Sequence, residues 1–377
     1  MKKKLSRKER KRRNKNKNKV CGWLSNLPDD VVTNCLVHVS RVDLAAIGMT
    51  SKAYRSLTSS PYLWNLRWQM NRLEASYYVC LHIFPEPIPR WFILHPVKRH
   101  LKPIHCKFPE SGSAFVVVDW GIFIIGGLVN GKPTSEVVLF DCFEHKWHNI
   151  PPMRMPRASA SARRIDYKIY VFGGCGDEVD SSNWAEVYDL RAHTWEFVCV
   201  PTSTRPKNIK QSVVIDNKEV YAVDEDHQIF SFSPSKLFAS SGKTDSKPGD
   251  REDWCCFGGF LFARGSRTIL WCLPDELDWK EVKGLEELQQ LLVGTNDICK
   301  LSCKLSPNKE GSCLVIFWNT QPQGAESLEL WSAEISLEKI GPDLWGKIKW
   351  SGSVYKLDYP LTDSNRVKVL YADIALT

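Results

Sequence analysis

The chain has no apolar run long enough to cross a membrane as a helix. The longest, Trp120 to Val129, covers ten residues, about half of the ~20 that a bilayer core requires. The amino-terminal residues are charged and lack the apolar stretch of a secretory signal, and no Asn-x-Ser/Thr acceptor is present. The 13 cysteines are odd in number, scattered from Cys21 to Cys313 and never spaced as Cys-x-x-Cys. Neither a disulfide framework nor a zinc ribbon is expected. A reduced intracellular setting, with most cysteines acting as small buried apolar residues, fits instead. Gly-x-Ser-x-Gly, Gly-x-x-x-x-Gly-Lys-Ser/Thr and His-Glu-x-x-His are also missing, so the common hydrolase, phosphate-loop and zinc-peptidase signatures fail. A non-enzyme without a cofactor is expected.

What is present is unevenly spread. The 377 residues carry a formal charge of +8. Residues 2–19 hold 12 Lys/Arg and a single acid, Glu9, which makes that segment +11 and leaves −3 for the rest. Residues 1–20 therefore read as a basic disordered tail. It suits nuclear import, contact with nucleic acid, or plain solubility. It has no aromatics to stack on bases, and the body shows no basic excess, so nucleic acid is not the expected partner. The expected location is the nucleus, the cytoplasm or both, with the tail favouring import. Apolar residues make up 43% and tryptophans number 15, enough to bury a sizeable core.

Residues 21–75 have a helical pattern. Pro28 followed by Asp29 and Asp30 marks a helix start. Val31, Val32, Cys35, Leu36 and Val39 recur on one side of it. Asp43 is the expected cap of a second helix carrying Leu44 and Ile47, which Gly48 should loosen or end. Ser51 should cap a third helix with Tyr54 and Leu57, and Pro61 should open a fourth with Leu63, Trp64 and Met70. Fifty residues of short helices make a marginal core, so part of the apolar surface should dock on a partner. The stretches Leu24-Ser-Asn-Leu-Pro-Asp-Asp-Val-Val, Val42-Asp-Leu and Ser51-Lys-Ala-Tyr-Arg-Ser-Leu-Thr-Ser-Ser-Pro-Tyr-Leu-Trp64 together resemble an F-box. Met49-Thr50 stands where that family more often has Leu-Val, and Tyr54 where Trp or Phe is usual. The resemblance implies docking on the Skp-type adaptor of a cullin-based ubiquitin ligase, with Leu27, Pro28, Val31, Leu36, Leu44 and Trp64 as the adaptor-binding residues.

From residue 76 onward the pattern is short strands and turns. One unit runs Ile122-Phe-Ile-Ile-Gly126-Gly127, Val137-Val-Leu-Phe-Asp141 and Trp147. The next runs Ile169-Tyr-Val-Phe-Gly173-Gly174, Ala185-Glu-Val-Tyr-Asp189 and Trp195. The Gly pairs are 47 apart and the tryptophans 48. Three features in one order at one period of about fifty residues resemble kelch repeats, each one blade of a propeller. The glycines suit a strand end where backbones crowd and φ is positive, and the tryptophans suit plates between blades.

Later units are degraded. Val213–Ile215, Val220–Val223 and Ile229–Phe232 form one, with the polar stretch Ser240–Asp253 expected to replace or distort its fourth strand. Trp254 to Val282 and Leu301 to Trp350 supply two more, separated by a helical turn or two at Leu285–Leu292. Tyr77–Leu81, Trp91–Leu94 and Ile104–Cys106, with Val367–Tyr371 from the other end of the chain, complete a sixth blade. Five blades is the alternative if those early strands stay outside the ring. The expected fold is thus multidomain: a small all-α F-box, then an all-β kelch propeller over 76–377, its amino- and carboxy-terminal strands closing one blade. With Trp279–Leu288 and Leu330–Glu338 added, the whole resembles plant F-box/kelch-repeat proteins.

Three cysteine and histidine clusters fall short of a metal site. Cys142, His145 and His148 lack a fourth ligand. Cys255 and Cys256 are adjacent and should point to opposite faces of a strand, and Cys299-x-x-x-Cys303 is too sparse. The loops after the Gly pairs, Leu128–Glu136 and Cys175–Asn183, are the candidate surfaces for an unknown protein substrate, the second made acidic by Asp177, Glu178 and Asp180.

Overall fold

A computed structural model describes residues 27–104, 111–176, 182–244, 252–265, 267–274, 276–292, 298–304, 313–321, 327–358 and 366–377. The basic tail, Cys21 to Asn26, His105 and Cys106, and the acidic Asp177, Glu178 and Asp180 lie outside the described residues. The chain divides into a helical unit up to Glu74, with which Thr377 groups, and a ring from Ala75 to Leu376.

The helical unit contains α1 (Asp29–Val37), α2 (Arg41–Thr50), α3 (Lys52–Thr58) and α4 (Pro61–Gln69). Pro28 occupies the position before α1, and Asp29 and Asp30 fill its first turn. The cap of α2 is Ser40 rather than Asp43. Ser40 Oγ accepts from the Asp43 amide at 3.1 Å and donates to the Asp43 carboxylate at 2.7 Å, which ties the two ends of the first turn together. Gly48 does not end α2, which continues to Thr50. A Cβ there would lie 2.8 Å from Thr58 Oγ1, so this glycine is a contact point that lets α2 and α3 approach closely. Ser51 caps α3, and Ser60 caps α4 with Pro61 in its first turn. The core is small: Val32, Leu36, Val37, Leu44 and Leu63.

Arg67 is buried beneath these helices at 1% exposure. It donates to the carbonyls of Val37 and Val39, at the end of α1, and to Glu74 at 3.0 Å. Buried carbonyls at a helix end need such a donor. Burial lowers the Arg67 pKa against the pull of Glu74.

The ring is a six-bladed propeller of four-stranded antiparallel sheets. The first blade combines β1 (Ala75–Ile83), β2 (Arg90–Leu94) and β3 (Leu101–Ile104) with β26 (Val367–Leu376). The second holds β4 (Ala114–Val118), β5 (Gly121–Ile125), β8 (Val137–Asp141) and β9 (Lys146–Ile150), with a hairpin β6 (Leu128–Val129) and β7 (Lys132–Pro133) between β5 and β8. The third holds β10 (Ser161–Ile165), β11 (Lys168–Phe172), β12 (Ala185–Asp189) and β13 (Thr194–Val198). The fourth holds β14 (Ile209–Ile215), β15 (Glu219–Asp224), β16 (Gln228–Ser233) and β17 (Leu237–Thr244). The fifth holds β18 (Glu252–Phe257), β19 (Phe260–Arg264), β20 (Ile269–Cys272) and β21 (Lys280–Glu281), followed by a short helix α5 (Glu286–Leu291). The sixth holds β22 (Ile298–Lys304), β23 (Cys313–Thr320), β24 (Leu328–Ile340) and β25 (Asp343–Leu357).

The five-blade alternative falls, because β26 pairs with β1 from Ala75 opposite Leu376 to Ile83 opposite Val367. That pairing removes the open edge a linear array would leave. The fourth strand after Phe232 is distorted rather than replaced: β17 pairs with β16 from Ser233 opposite Leu237 to Gln228 opposite Thr244, with a register shift between Gln228 and Phe230, and residues 245–251 of the polar stretch lie outside the described residues. Its sequence, Leu-Phe-Ala-Ser-Ser-Gly-Lys-Thr, is too polar to read as a strand, but an outermost strand needs only one apolar contact, and Phe238 supplies it.

Candidate functional site

The helical unit leaves apolar side chains in solvent in an ordered way. On α1, Val32 and Leu36 face the core, whereas Pro28, Val31 and Cys35 are exposed, Val31 at 42%. The single apolar side expected from the sequence is therefore two adjacent stripes, one inward and one outward. On α2, Leu44 is buried while Val42, Ala45, Ala46 and Met49 are exposed. Their spacing, i, i+3, i+4 and i+7, is an apolar stripe on the solvent side of a helix. Met49 reaches 80% exposure. Tyr62 and Trp68 on α4 are also exposed, at 60% and 66%.

Of the six residues expected to hold the adaptor, Pro28 and Val31 are exposed and Leu27 and Trp64 are half-buried. The Arg67 guanidinium lies 5.5 Å from the centre of the Trp64 ring. Leu36 and Leu44 are 2% exposed and belong to the core, where they can act only by shaping the helices. Sequence periodicity shows which residues share a helix side but not which of two neighbouring apolar stripes its own domain covers.

In the ring, the Gly pairs sit where the sequence places them. Gly126 and Gly127 have φ of +60° and +107°, and Gly173 and Gly174 +67° and +72°. A Cβ on Gly126 would lie 2.3 Å from the Arg157 carbonyl, and one on Gly174 2.7 Å from the Ala158 carbonyl. Both pairs thus press against the segment that enters the third blade. Trp195 packs among second- and third-blade residues and donates to the Pro151 carbonyl at 2.7 Å. Trp147 lies on Phe140, 4.5 Å between ring centres, beside first- and second-blade residues. The stretch Gly126–Lys132 has part of a phosphate-loop spacing, but Pro133 follows it, and the segment forms the β6–β7 hairpin instead of leading into a helix.

One element escaped the sequence reading. Arg157 and Glu186 form an ion pair with both side chains at 0% exposure. Arg157 also donates to the carbonyls of Gly173 (2.8 Å), Trp184 (2.8 Å) and Asn183 (2.7 Å). Glu186 accepts the amides of Arg154 (2.7 Å) and Met155 (3.1 Å). The pair stitches the incoming segment to the strand ends that carry the second Gly pair. A signal was available: Glu186 takes the place in Ala185-Glu-Val-Tyr-Asp189 that Val138 takes in the preceding repeat.

The innermost strand of each blade touches the innermost strands of its two neighbours: β26, β4, β10, β14, β18 and β22. They run in one direction. Asp253, near the start of β18, accepts the amide of Leu301, midway along β22, and the Leu376 amide at the end of β26 donates to the Asp119 carbonyl just past β4. The chain enters and leaves the ring at the end where these strands finish, since Ala75 lies opposite Leu376. The Gly pairs and the loops after them lie at the other end, because Ala114 at the start of β4 pairs with Ile125.

The enclosed channel carries a buried charge network. Asp253 bonds Arg264 Nε at 2.8 Å and Lys300 Nζ at 2.6 Å. Burial alone would raise its pKa, but the two cations more than offset that and hold it below the usual carboxylate range. Asp373, held by the Tyr371 hydroxyl (3.1 Å) and the Ile374 amide (2.8 Å), is pushed up by burial to about 6. Cys255 and Cys303 meet across the fifth and sixth blades, an arrangement that neither Cys255-Cys256 nor Cys299-x-x-x-Cys303 announces, and burial raises the Cys303 thiol. Burial also pushes the Cys299 thiol up to about 12. Cys142 is buried, His145 lies beside Tyr78, and His148 is exposed. Among the described residues no group of three such side chains could hold a metal ion.

The comparisons agree with these two units. The F-box domain family matches residues 24–66, and the FKB95 Kelch-repeats domain family matches residues 93–355. An F-box/kelch-repeat protein of Arabidopsis thaliana is 30% identical over 352 residues, covering 88% of this chain and 90% of its own. A second from the same plant is 29% identical over 386 residues, covering 92% of both. With the F-box family matched on the helices, the kelch-repeat family on most of the ring, and such relatives matched along nearly their full length, the chain belongs to the plant F-box/kelch-repeat family.

Proposed function

We propose that the chain is the substrate-recognition subunit of an SCF-type ubiquitin ligase. The helical unit holds a Skp-type adaptor and through it a cullin, and the propeller holds a protein to be ubiquitinated. The observation that carries this reading is the exposed apolar stripe Val42, Ala45, Ala46 and Met49 on α2, together with exposed Val31 on α1 and Pro28 just before it. A unit with five fully buried apolar residues gains from leaving such a stripe in water only if a partner covers it. In this reading Leu27, Pro28, Val31 and Trp64 contact the adaptor, and Leu36 and Leu44 support them from the core. The chain performs no chemistry itself; it raises the local concentration of target beside the transferring subunits. The target binds at the channel end that carries the Leu128–Glu136 loop, opposite the end where the chain enters and leaves.

The test is co-purification with a Skp-type adaptor. Val31→Asp and Val42→Asp place charge on the stripe without touching the core, and each should abolish capture while the helical content stays unchanged. Equal capture by both folded variants would refute the assignment and leave a kelch scaffold without ligase role. The basic segment 2–19 is proposed to direct the chain to the nucleus. A fluorescent fusion lacking it should spread into the cytoplasm.

A further inference from the structure

The channel encloses about 1050 Å³, at the upper end of the ~300–1000 Å³ typical of small-molecule sites. Its charged lining is unbalanced. Arg163, Arg164, Lys210, Arg264, Lys300 and Lys368 face three acids, Glu252, Asp253 and Asp373. Two of those acids are committed: Asp253 to Arg264 and Lys300, and Glu252 to Arg264. Arg164 is paired outward with Asp119 at 3.2 Å.

Arg163 is different. Its guanidinium donates only to backbone carbonyls, Nη1 to Ala162 (2.7 Å), Nε to Ser212 (3.2 Å) and Nη2 to Ser212. That uses three of its five N–H donors. Among the described residues no carboxylate lies within hydrogen-bond reach of it. Asp373 acts on it only through space, its own oxygens being held by Tyr371 and Ile374. Lys210 and Lys368, near the start of β14 and β26, make no ion pair among the described residues. Among the described residues the channel therefore holds more positive than negative charge.

The same cavity has an aromatic wall. Phe115 and Tyr371 lie 5.1 Å apart between ring centres at 31°, and Trp91 meets Phe115 edge-on at 5.5 Å. All three line the cavity. Tyr371 is also an electrostatic neighbour of Arg163, so the apolar wall and the free donors belong to one compartment. A guanidinium with two spare donors, one on each Nη, suits a carboxylate, and an aromatic wall suits a flat apolar body.

We propose that the propeller channel is a binding site for a small aromatic carboxylate, with Arg163 on the carboxylate and the Phe115–Tyr371 wall against the ring. The site lies inside the propeller and does not depend on the adaptor reading, whose failure would leave it standing.

The test is calorimetric titration of the full-length chain with benzoate, benzamide and inorganic phosphate. Benzoate should bind saturably, and benzamide, its uncharged counterpart, at least about tenfold more weakly, the scale of one charge-assisted hydrogen bond. Arg163→Gln should weaken benzoate by a similar factor, Arg163→Lys should retain part of the affinity, and Asp373→Asn should tighten it by removing a nearby negative charge. Melting curves confirm that each variant is folded. Should Arg163→Gln fail to fold, Arg163→Lys and Asp373→Asn carry the test. Absence of saturable benzoate binding, equal binding of benzamide, an unchanged Kd in folded Arg163→Gln or no tightening in Asp373→Asn would overturn the proposal. Binding of phosphate without benzoate would overturn it too, because the aromatic wall would then play no part.

Discussion

Replacing Glu186 with alanine removes one half of an ion pair enclosed between the second and third blades. The variant leaves Arg157 at 0% exposure with its backbone carbonyls but no negative partner, and strips the Arg154 and Met155 amides of their acceptor. Removing one partner of a buried pair costs about 3–5 kcal/mol, because the remaining charge is neither solvated nor matched. The ring spans about 300 residues, so its unfolding entropy is about 0.6 kcal/mol per kelvin. A loss of about 4 kcal/mol then lowers Tm by about 6 °C. Scanning calorimetry on wild type and Glu186→Ala measures this directly. The double variant Arg157→Met/Glu186→Leu should not recover the loss, since it still strips the Arg154 and Met155 amides of their acceptor and also takes the donor from the carbonyls of Gly173, Asn183 and Trp184. A Glu186→Ala transition within about 1 °C of wild type would show that the pair is not the clamp it is taken to be.

Gly127→Ala should destabilise the ring by about 2 kcal/mol or more, because its φ is +107° and a Cβ would lie 2.3 Å from Ser113 Oγ and 3.0 Å from the Ser111 carbonyl; urea titration measures it, and an unchanged midpoint would contradict the geometry. Gly48→Val should cost about 1–3 kcal/mol by forcing α2 and α3 apart, lowering helical signal and adaptor capture together. Asp373 and Asp253 should give opposite pH dependences. The Asp373 pKa is raised in the folded state to about 6 from 3.8, so its contribution is fully present below 3.8 and is lost as pH rises through about 6. Asp373→Asn should therefore gain stability relative to wild type between pH 4 and pH 7. The Asp253 pKa is lowered, so its contribution is present above 3.8 and is lost as pH falls through its folded value. The advantage of wild type over Asp253→Asn should shrink on acidification. Urea midpoints between pH 4 and pH 7 decide the first and midpoints carried below pH 3.8 decide the second, and a flat Asp373→Asn difference would refute the burial argument.

The sequence shows most clearly what repeats. Gly126-Gly127 and Gly173-Gly174, 47 residues apart, announce blades because positive φ favours glycine and the close backbone approaches at Gly126 and Gly174 leave no room for a Cβ. Ser51 and Pro61 announce helix starts because capping is a local interaction over three residues. The role of Gly48 was hidden because it depends on Thr58, a residue of the next helix. The strand Leu237–Thr244 was hidden because an outer strand is specified by its neighbour β16 more than by its own composition.

Local chemistry written along the chain determined the two units and their order, since caps, turn glycines and strand alternation act over a few residues, whereas the pairing of β26 with β1 decided six blades against five. The tertiary structure decided which apolar stripe stays in water, which charges find partners and which do not. Val31 and Leu36 look alike in sequence, yet one faces solvent and the other the core. Arg157 and Arg163 are six residues apart, yet one is clamped by Glu186 and the other opens on a channel. Burial and electrostatic pairing depend on segments that meet only when the chain folds, and no local pattern records those meetings.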